Sequence, residues 1–297
     1  MPSTDKINKI VWWIPIKSIR DRVREHLILK STNRSIKRIV LITGQNCNLK
    51  CKNCANFSPY LSKKFPFYDA KDIINDLKIL TKYLELQELQ IQGGEFFIHP
   101  EQYDILNYII KNKKIKKLII ATNGVLIPKD NVMKLISTSH KIIVRISNYG
   151  EINNEKALKL IEEIKKYNIK YYMHKFANGN SMWSYCGDIN MKRLSDDEML
   201  KYYSKCIFAR DCLTIENGFI SICSRATIAH VIQGFNITDK DGIFIRDKNT
   251  TANKIIDFAN KKPPVEACYY CYGSSGKPIK PAEQMSKDEI IAAMNLK

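Results

Sequence analysis

Three closely spaced cysteines are the residues of this chain best suited to bind a metal ion or an iron–sulfur cluster. Cys47, Cys51 and Cys54 lie within eight residues, directly after a β-branched run at 38–43 that is typical of a buried strand. Structural Zn²⁺ takes four ligands and usually gathers them as two separated pairs. Three thiolates in one loop instead suit a [4Fe–4S] cluster with one iron left open. The end of the first strand is also where parallel β/α folds place ligand sites.

The other cysteines lie in the second half of the chain. Nine cysteines without a secretory signal indicate metal or cluster ligation, because disulfides are rare in a reducing compartment. Cys186 stands apart from the rest. Four others bracket a hairpin that the Asn-Gly pair at 217–218 predicts, namely Cys206, Cys223, Cys268 and Cys271. A Cys-x2-Cys pair with two hairpin cysteines is also a zinc-ribbon arrangement, so zinc remains an alternative for this set.

Alternating strands and helices must position the first cysteines. Apolar periodicity predicts successive βαβ units and therefore a parallel, curved sheet. The predicted strands are 38–43, 86–92, 117–122, 141–147 and 169–174, and the predicted helices are 70–84, 101–113, 129–138 and 154–167. After about residue 176 the alternation stops, and a helix at 195–205 leads to the hairpin at 213–223. We expect a basic N-terminal extension (1–35), an α/β domain (36–190) and a small cysteine-bearing module with a tail (191–297).

The chain is strongly basic, with 48 Lys and Arg against 30 Asp and Glu and a net charge of +18. The lysines are scattered through helical segments, which indicates a solvated surface more than a nucleic-acid groove. Such a surface favours an anionic substrate. A non-catalytic, metal-bound nucleic-acid binder is the alternative from another class of protein. No apolar run approaches the ~18 residues of a membrane span, and we expect a cytoplasmic protein.

The C-x3-C-x2-C motif after the first strand resembles the radical S-adenosylmethionine (SAM) enzymes, over roughly residues 38–175. The resemblance implies that Cys47, Cys51 and Cys54 bind a [4Fe–4S] cluster whose open iron chelates SAM. It also implies that polar positions after the next strands contact SAM: Gly93, Gly94, Glu95, Thr122, Asn123, Ser147 and Asn148. One position departs from the family pattern, because Asn53 stands where an aromatic residue is usual.

The spacing of the later cysteines resembles the auxiliary-cluster module called twitch, a shortened SPASM domain. By this resemblance, a second [4Fe–4S] cluster is bound by Cys206, Cys223, Cys268 and Cys271, with Cys212 as an alternative ligand. The spacings are similar to those of cyclitol-oxidising radical SAM dehydrogenases. The implied fold is α/β, a partial (β/α)6 barrel followed by a small C-terminal twitch module made of a β-hairpin and a helix.

The family resemblance implies that a 5′-deoxyadenosyl radical removes a hydrogen atom from the substrate. An auxiliary cluster that accepts an electron would lead to alcohol oxidation, whereas Cys186 as a hydrogen donor would lead to epimerisation. Trp183, Tyr185 and Asp188 are expected to line a sugar-sized pocket, with His99 and Arg225 as weaker candidates.

The expected substrate is a sugar or a sugar nucleotide. The segment from Trp12 to Arg22 resembles a leader seen in proteins of bacterial surface-polysaccharide clusters, and the basic surface agrees with an anionic ester. The expected reductant is of the flavodoxin or ferredoxin type. A radical SAM enzyme that modifies peptides is the nearest alternative.

Overall fold

An eight-stranded sheet forms the centre of the molecule. The structure is a computed structural model, and it describes residues 4–31, 35–175, 182–211 and 213–295. In chain order the strands of this sheet are β1 (Ile39–Ile42), β2 (Leu89–Gln92), β3 (Leu118–Thr122), β4 (Ile142–Asn148), β5 (Tyr171–Lys175), β6 (Thr214–Glu216), β7 (Phe219–Ser221) and β8 (Ile243–Phe244). Their spatial order is β8-β7-β6-β1-β2-β3-β4-β5.

The mixed α/β architecture with a parallel sheet is confirmed. Strands β1 to β5 pair in parallel in chain order, and β1 is buried along its whole length, as a strand covered on both faces should be. The sixth parallel strand does not follow β5. It is β6, which pairs in parallel with β1 at the other end of the series. The predicted hairpin of β6 and β7, which is antiparallel, therefore continues the main sheet.

Helices cover the sheet and fill the connections. They are α1 (Thr4–Val11), α2 (Lys17–Ser31), α3 (Ser58–Leu61), α4 (Ala70–Tyr83), α5 (Gln102–Lys111), α6 (Asp130–Ser137), α7 (Asn154–Lys166), α8 (Asp196–Tyr203), α9 (Ile207–Asp211), α10 (Ser224–Gln233), α11 (Ala252–Lys261) and α12 (Lys287–Asn295). Short 3₁₀ turns occur at Phe96–Ile98, Gly150–Ile152, Glu266–Tyr270 and Gly273–Ser275. Two small two-stranded sheets pair Ser35–Ile36 with Glu85–Leu86 and Trp183–Ser184 with Pro278–Ile279.

The described part of the chain has two apolar cores. The larger core fills the space between the sheet and its helices. The smaller one joins α3, which comes after the first cysteines, to α10 and the segment before Cys268; Phe57, Ile222 and Val265 are among its members. Burial of these apolar side chains holds the C-terminal third of the chain against the sheet. Within the described ranges, no helix is long and apolar enough to cross a membrane.

Candidate functional site

The first three cysteines lie in the loop after β1. Burial, with smaller contributions from the neighbouring thiols, raises the pKa of Cys47 and of Cys51 to about 12 each. Without a metal these thiols therefore keep their protons at neutral pH. Because a thiolate is the ligating form, iron would displace those protons on binding.

The local backbone explains why Asn53 stands between two cysteines. Asn53 has a φ of 59°, in the left-handed region, which asparagine adopts more readily than an aromatic residue does. The next residue closes the turn, since the Cys54 amide donates to the Cys51 carbonyl at 3.3 Å. The left-handed backbone of this turn thus accounts for an asparagine at position 53, where the family pattern has an aromatic residue.

Gly93 and Gly94 let two strand-end loops approach each other. The Gly94 amide donates to the Gly44 carbonyl at 2.9 Å, and the Glu95 amide donates to the Asn46 carbonyl at 2.8 Å. A Cβ at Gly94 would collide with that Asn46 carbonyl. The two glycines therefore position the loop that carries Cys47, in addition to any contact with a ligand.

Glu95 is the buried acidic residue of this site. Its Oε1 accepts from the Phe97 amide at 3.0 Å, and its Oε2 accepts from Thr122 Oγ1 at 3.0 Å and from the Asn123 amide at 2.8 Å. Burial raises the pKa of Glu95, while these three donors oppose the shift. A carboxylate accepts about four hydrogen bonds, so one position remains for a donor from a ligand.

Asn123 connects the end of β3 to the cysteine loop. Its Nδ2 lies 3.7 Å from Cys47 Sγ and donates to Asn48 Oδ1 at 2.7 Å. Asn148, by contrast, bonds to its own loop and to β5: Nδ2 donates to Asn154 Oδ1 at 2.7 Å and to Met173 Sδ at 3.3 Å, and Oδ1 accepts from the Gly150 amide at 2.8 Å. Of these two asparagines, Asn123 is the one that contacts a cysteine.

Ser147 and Tyr149 complete the edge of the sheet at the end of β4. The Ser147 carbonyl accepts from Asn153 Nδ2 at 2.6 Å, and the Ser147 side chain hydrogen-bonds with the Tyr149 hydroxyl. Burial raises the pKa of Tyr149, and nearby Cys51, Cys54 and Glu95 raise it further. Tyr149 is therefore a neutral donor close to the cysteine loop, and the sequence analysis did not identify it.

The C-terminal tail contributes a further residue to the first site. Gln284 Nε2 donates to Cys51 Sγ at 3.3 Å, while its Oε1 accepts from the Lys50 amide at 2.7 Å. The tail backbone also pairs with the loop, because the Lys52 amide donates to the Glu283 carbonyl at 2.6 Å. No short motif links Gln284 to the cysteines, which lie more than 200 residues earlier.

The first loop fits an iron–sulfur cluster by the chemistry of its donor set. Three thiols lie within this one loop, and the side-chain amides of Asn123 and Gln284 reach two of the sulfur atoms. Hydrogen bonds to the sulfurs are one of the means by which proteins tune such clusters. Cys47, Cys51 and Cys54 would hold the cluster, with these two amides as its hydrogen-bonding partners.

The second set of cysteines surrounds a single cavity between α8, α10 and the tail. Cys206, Cys223, Cys268 and Cys271 all line it, together with Arg225 and Gly273. Gly273 has a φ of +58°, and a Cβ there would lie 2.9 Å from Cys206 Sγ. Four thiols facing one apolar cavity are a donor set that fits an all-thiolate cluster.

Cys186 lies beside this second set. It is buried and hydrogen-bonds with Cys271, and its Sγ lies 3.5 Å from the carbonyls of Ser184 and Gly273. The hydrogen bond from Cys186, together with the charge of Arg225, lowers the pKa of Cys271 to about 6. The structure thus places Cys186 next to the cavity that the other four thiols line.

Arg225 supplies a buried positive charge at the same place. It is 4% exposed, its Nη2 donates to the Gly187 carbonyl at 2.9 Å, and its guanidinium lies 4.1 Å from the centre of the Phe57 ring. Its Nε and Nη1 have no hydrogen-bond partner in the described part of the chain. A buried guanidinium with unused donors is costly unless a negative charge lies near it, and an anionic cluster in the cavity would provide one.

Neither set of thiols is arranged around a single ion. Across residues 4–31, 35–175, 182–211 and 213–295, no three His, Cys, Asp or Glu side chains are grouped as ligands of one metal ion. Cys212, the alternative ligand, lies outside the described residues.

The segment 183–188 runs between the two sets of cysteines. At one end, the Trp183 ring lies edge-on to Tyr149 with a centroid separation of 5.5 Å. At the other end, Cys186 contacts Cys271. Tyr185 donates to Asp188 Oδ2 at 2.9 Å. The predicted pocket residues Trp183, Tyr185 and Asp188 therefore lie on the stretch that joins the two sites.

The side chains of His99 and Glu216 form hydrogen bonds that connect parts of the fold. His99 is buried, and both its ring nitrogens are engaged, with the Tyr68 carbonyl and the Glu101 amide. Glu216, which the sequence analysis did not identify, ends β6 and accepts from Gln45 Nε2 at 2.7 Å. A second contact, from Thr227 Oγ1 at 2.5 Å, links the loop before Cys47 to α10 and hence to the second set of cysteines.

Comparison with known proteins agrees with this geometry. Residues 41–182 match the family model of the Radical SAM superfamily. The chain is 31% identical over 147 residues to the antilisterial bacteriocin subtilosin biosynthesis protein AlbA of Bacillus subtilis, an alignment that covers 43% of this chain and 31% of AlbA. It is 26% identical over 147 residues to GTP 3′,8-cyclase of Aquifex aeolicus, covering 42% of this chain and 44% of the cyclase. The matched region spans less than half the length of either relative.

Solved structures give a more distant likeness. SuiB of Streptococcus suis bound to S-adenosylmethionine aligns with a TM-score of 0.44 and 15% identity, over 82% of this chain and 74% of SuiB. The family match begins within β1, extends past β5, and includes the three-cysteine loop, Glu95 and Asn123. Over residues 41–182, slightly less than half of its length, the chain is thus similar to the Radical SAM superfamily.

Proposed function

We propose that the chain is a radical SAM enzyme that removes a hydrogen atom from a sugar or sugar nucleotide. The observation that carries the proposal is the meeting of the three-cysteine loop, Glu95 and Asn123 at the ends of β1, β2 and β3. When bound, a [4Fe–4S] cluster and SAM supply the 5′-deoxyadenosyl radical that abstracts the hydrogen atom.

The residues of the chain bind and orient these groups. Cys47, Cys51 and Cys54 hold the cluster, and the remaining acceptor position of Glu95 suits the ammonium of SAM. Because Glu95 is 3% exposed, its interaction with a positive charge is screened little by water. The hydrogen bonds from Thr122 and Asn123 keep the carboxylate in place, so little reorganisation accompanies binding.

The second set of cysteines determines the fate of the substrate radical. We propose that Cys206, Cys223, Cys268 and Cys271 would hold a second [4Fe–4S] cluster; when bound, it would supply an electron acceptor, so that a substrate radical losing one electron to it and its hydroxyl proton to solvent would end as a ketone. Epimerisation with Cys186 as hydrogen donor is the alternative within this proposal. The burial of Cys186 against Cys271 favours oxidation, because a hydrogen donor must reach the substrate carbon.

The segment 183–188 and its neighbours support a carbohydrate substrate. Aromatic rings at Tyr149, Trp183 and Tyr185 provide apolar faces of the size of a sugar ring, and Asp188 is exposed and can accept from hydroxyl groups. The net charge of +18 favours the phosphates of a sugar nucleotide and an acidic flavodoxin- or ferredoxin-type reductant.

Peptide modification is the second candidate, because one specific observation favours it. The identity of 31% to a bacteriocin biosynthesis protein covers the radical SAM region. If this chain shares the substrate class of that relative, a peptide and not a sugar would occupy the space beside the segment 183–188. A substrate panel that contains both classes separates the two candidates.

The experiment is anaerobic iron–sulfur reconstitution of the parent chain and of a Cys47/Cys51/Cys54→Ala triple variant. We expect about eight iron per parent chain and about four per variant, with 5′-deoxyadenosine formed from SAM by the parent alone. Sugar nucleotides and peptides are then compared as substrates that accelerate SAM cleavage. Retained SAM cleavage in the triple variant would contradict the proposal, and bound zinc in the parent would assign the second site to zinc.

A further inference from the structure

The N-terminal helical hairpin exposes a group of large apolar side chains to solvent. Trp12 and Trp13, in the turn between α1 and α2, are 73% and 69% exposed. Ile10, Ile16 and Ile19 flank them and are also about half exposed. These five residues, the tryptophan turn, include two of the three tryptophans of the chain. Side chains of this kind gathered at one place indicate an interaction surface.

The tryptophan turn is held open by specific hydrogen bonds. Arg20 Nη1 donates to the Trp12 carbonyl at 3.5 Å and to the Ile14 carbonyl at 3.4 Å. The opposite face of α1 points inward, since Ile7 and Val11 are 0% and 2% exposed. With Ile7 and Val11 facing inward and Arg20 bonded to the turn, the two indole rings lie on the exposed side of the hairpin.

Positive charge surrounds the tryptophan turn. Residues 4–31 contain seven Lys and Arg against three Asp and Glu. Lys6, Lys9, Lys17 and Arg24 are exposed. Cations of this kind attract anionic headgroups, and indole rings settle at the boundary between headgroups and acyl chains.

We propose that the tryptophan turn docks on an anionic lipid surface, with Trp12 and Trp13 in the headgroup region and the neighbouring lysines against the lipid phosphates. Adjacent indoles at the tip of a helical hairpin, surrounded by cations, fit the plane of a membrane interface. An acidic protein surface would match the charge but not the preference of indole for that interface. This surface interaction needs no spanning segment and is independent of the reaction at the cysteine sites.

The test is binding of the full chain to lipid vesicles, measured by co-sedimentation and by tryptophan emission. Phosphatidylcholine vesicles with and without phosphatidylglycerol are the probes. In a Trp183→Phe background the only indoles left are Trp12 and Trp13, so a shift of their emission to shorter wavelength reports burial of this turn alone. We expect binding and the shift with phosphatidylglycerol present, and little of either without it.

Two matched pairs of variants separate the apolar and the charged contributions. Trp12→Ser/Trp13→Ser should weaken binding more than about tenfold, whereas Ile127→Ser/Leu158→Ser, which removes two exposed apolar side chains elsewhere, should not change it. Lys9→Gln/Lys17→Gln should weaken binding by about fivefold for each lysine, with Lys71→Gln/Lys111→Gln as the control. Absence of vesicle binding, or unchanged binding of the tryptophan variant, would overturn the proposal and leave a protein partner as the occupant.

Discussion

The first set of cysteines comes from one loop of eight residues, whereas the second takes its thiols from three separate segments of the chain. The first is shaped by local hydrogen bonds such as the one from the Cys54 amide to the Cys51 carbonyl. The second forms only when the chain after α8, the start of α10 and the tail have packed together. A site made by one loop depends on turn chemistry, and a site made by three segments depends on the whole fold.

The two sets also differ in their electrostatic surroundings. Cys51 in the first loop meets an uncharged amide, Gln284, and burial raises its pKa to about 12. Cys271 in the second set meets Cys186 and the charge of Arg225, and these lower its pKa to about 6. A buried cation favours an anionic group more strongly than an amide dipole does. This effect is confined to Cys271, since burial raises the pKa of Cys223 to about 12 and raises that of Cys268 as well.

The largest effect is expected from a variant that removes the second site and keeps the first. Cys268→Ala/Cys271→Ala deletes two thiols of the second cavity and leaves the first loop intact. We expect iron to fall from about eight to about four per chain and substrate oxidation to stop, while 5′-deoxyadenosine still forms. Iron analysis and product analysis of the reconstituted variant measure this. Loss of SAM cleavage as well would show that the two sites do not act separately.

The strand and helix periodicity of the sequence was sufficient to place the three-cysteine loop, Glu95 and Asn123 at one edge of the sheet, because that periodicity is local. The strand pattern predicted β1 to β5 in order, and the motif residues Cys47, Glu95 and Asn123 come after strands that are neighbours in the sheet. Parallel strands place their carboxyl ends at one edge, so residues far apart in sequence meet there by topology alone. The sequence did not show that Gly94 lets its loop pack closely against the backbone of the cysteine loop, because that contact joins residues about 50 positions apart.

Three other features of the two sites depend on tertiary contacts that the sequence pattern does not encode. Gln284 reaches Cys51 because the tail crosses the loop, and no periodicity or spacing encodes that crossing. The hairpin strand β6 pairs with β1, although the end of the βαβ alternation placed it in a separate module. The proximity of Cys186 to Cys271 was missed for a similar reason, since a lone cysteine carries no spacing signal.

Replacing Cys186 should lower the rate of product formation by less than removal of the second site does. If Cys186 only packs against Cys271, Cys186→Ala should keep about eight iron and should still yield oxidised product, at a reduced rate because the second cavity is perturbed. Reaction in deuterated water provides the decisive measurement, since epimerisation takes up a solvent-derived hydrogen and oxidation does not. Deuterium in the product of the parent, together with its loss in the variant, would instead make Cys186 the hydrogen donor.

The smallest expected effect concerns the hydrogen bond between the tail and the first site. Gln284→Ala removes one N–H donor from Cys51 while leaving all the ligands in place. Because such a donor stabilises the more negative, reduced cluster, the potential of the first cluster should fall. A hydrogen bond of about 1 kcal/mol corresponds to a shift on the order of 40 mV for one electron.

Redox titration of the first cluster, monitored by its electron paramagnetic resonance signal in the Cys268→Ala/Cys271→Ala background, isolates this shift. Glu283→Ala is the comparison variant: it removes an exposed carboxylate that pairs with Lys52 at 3.6 Å, while the backbone carbonyl that accepts from the Lys52 amide remains. An unchanged potential in Gln284→Ala would mean that the tail only covers the loop. An equal fall in both variants would assign the effect to movement of the tail, because both changes lie on the strand-like stretch that pairs with residues 50–52.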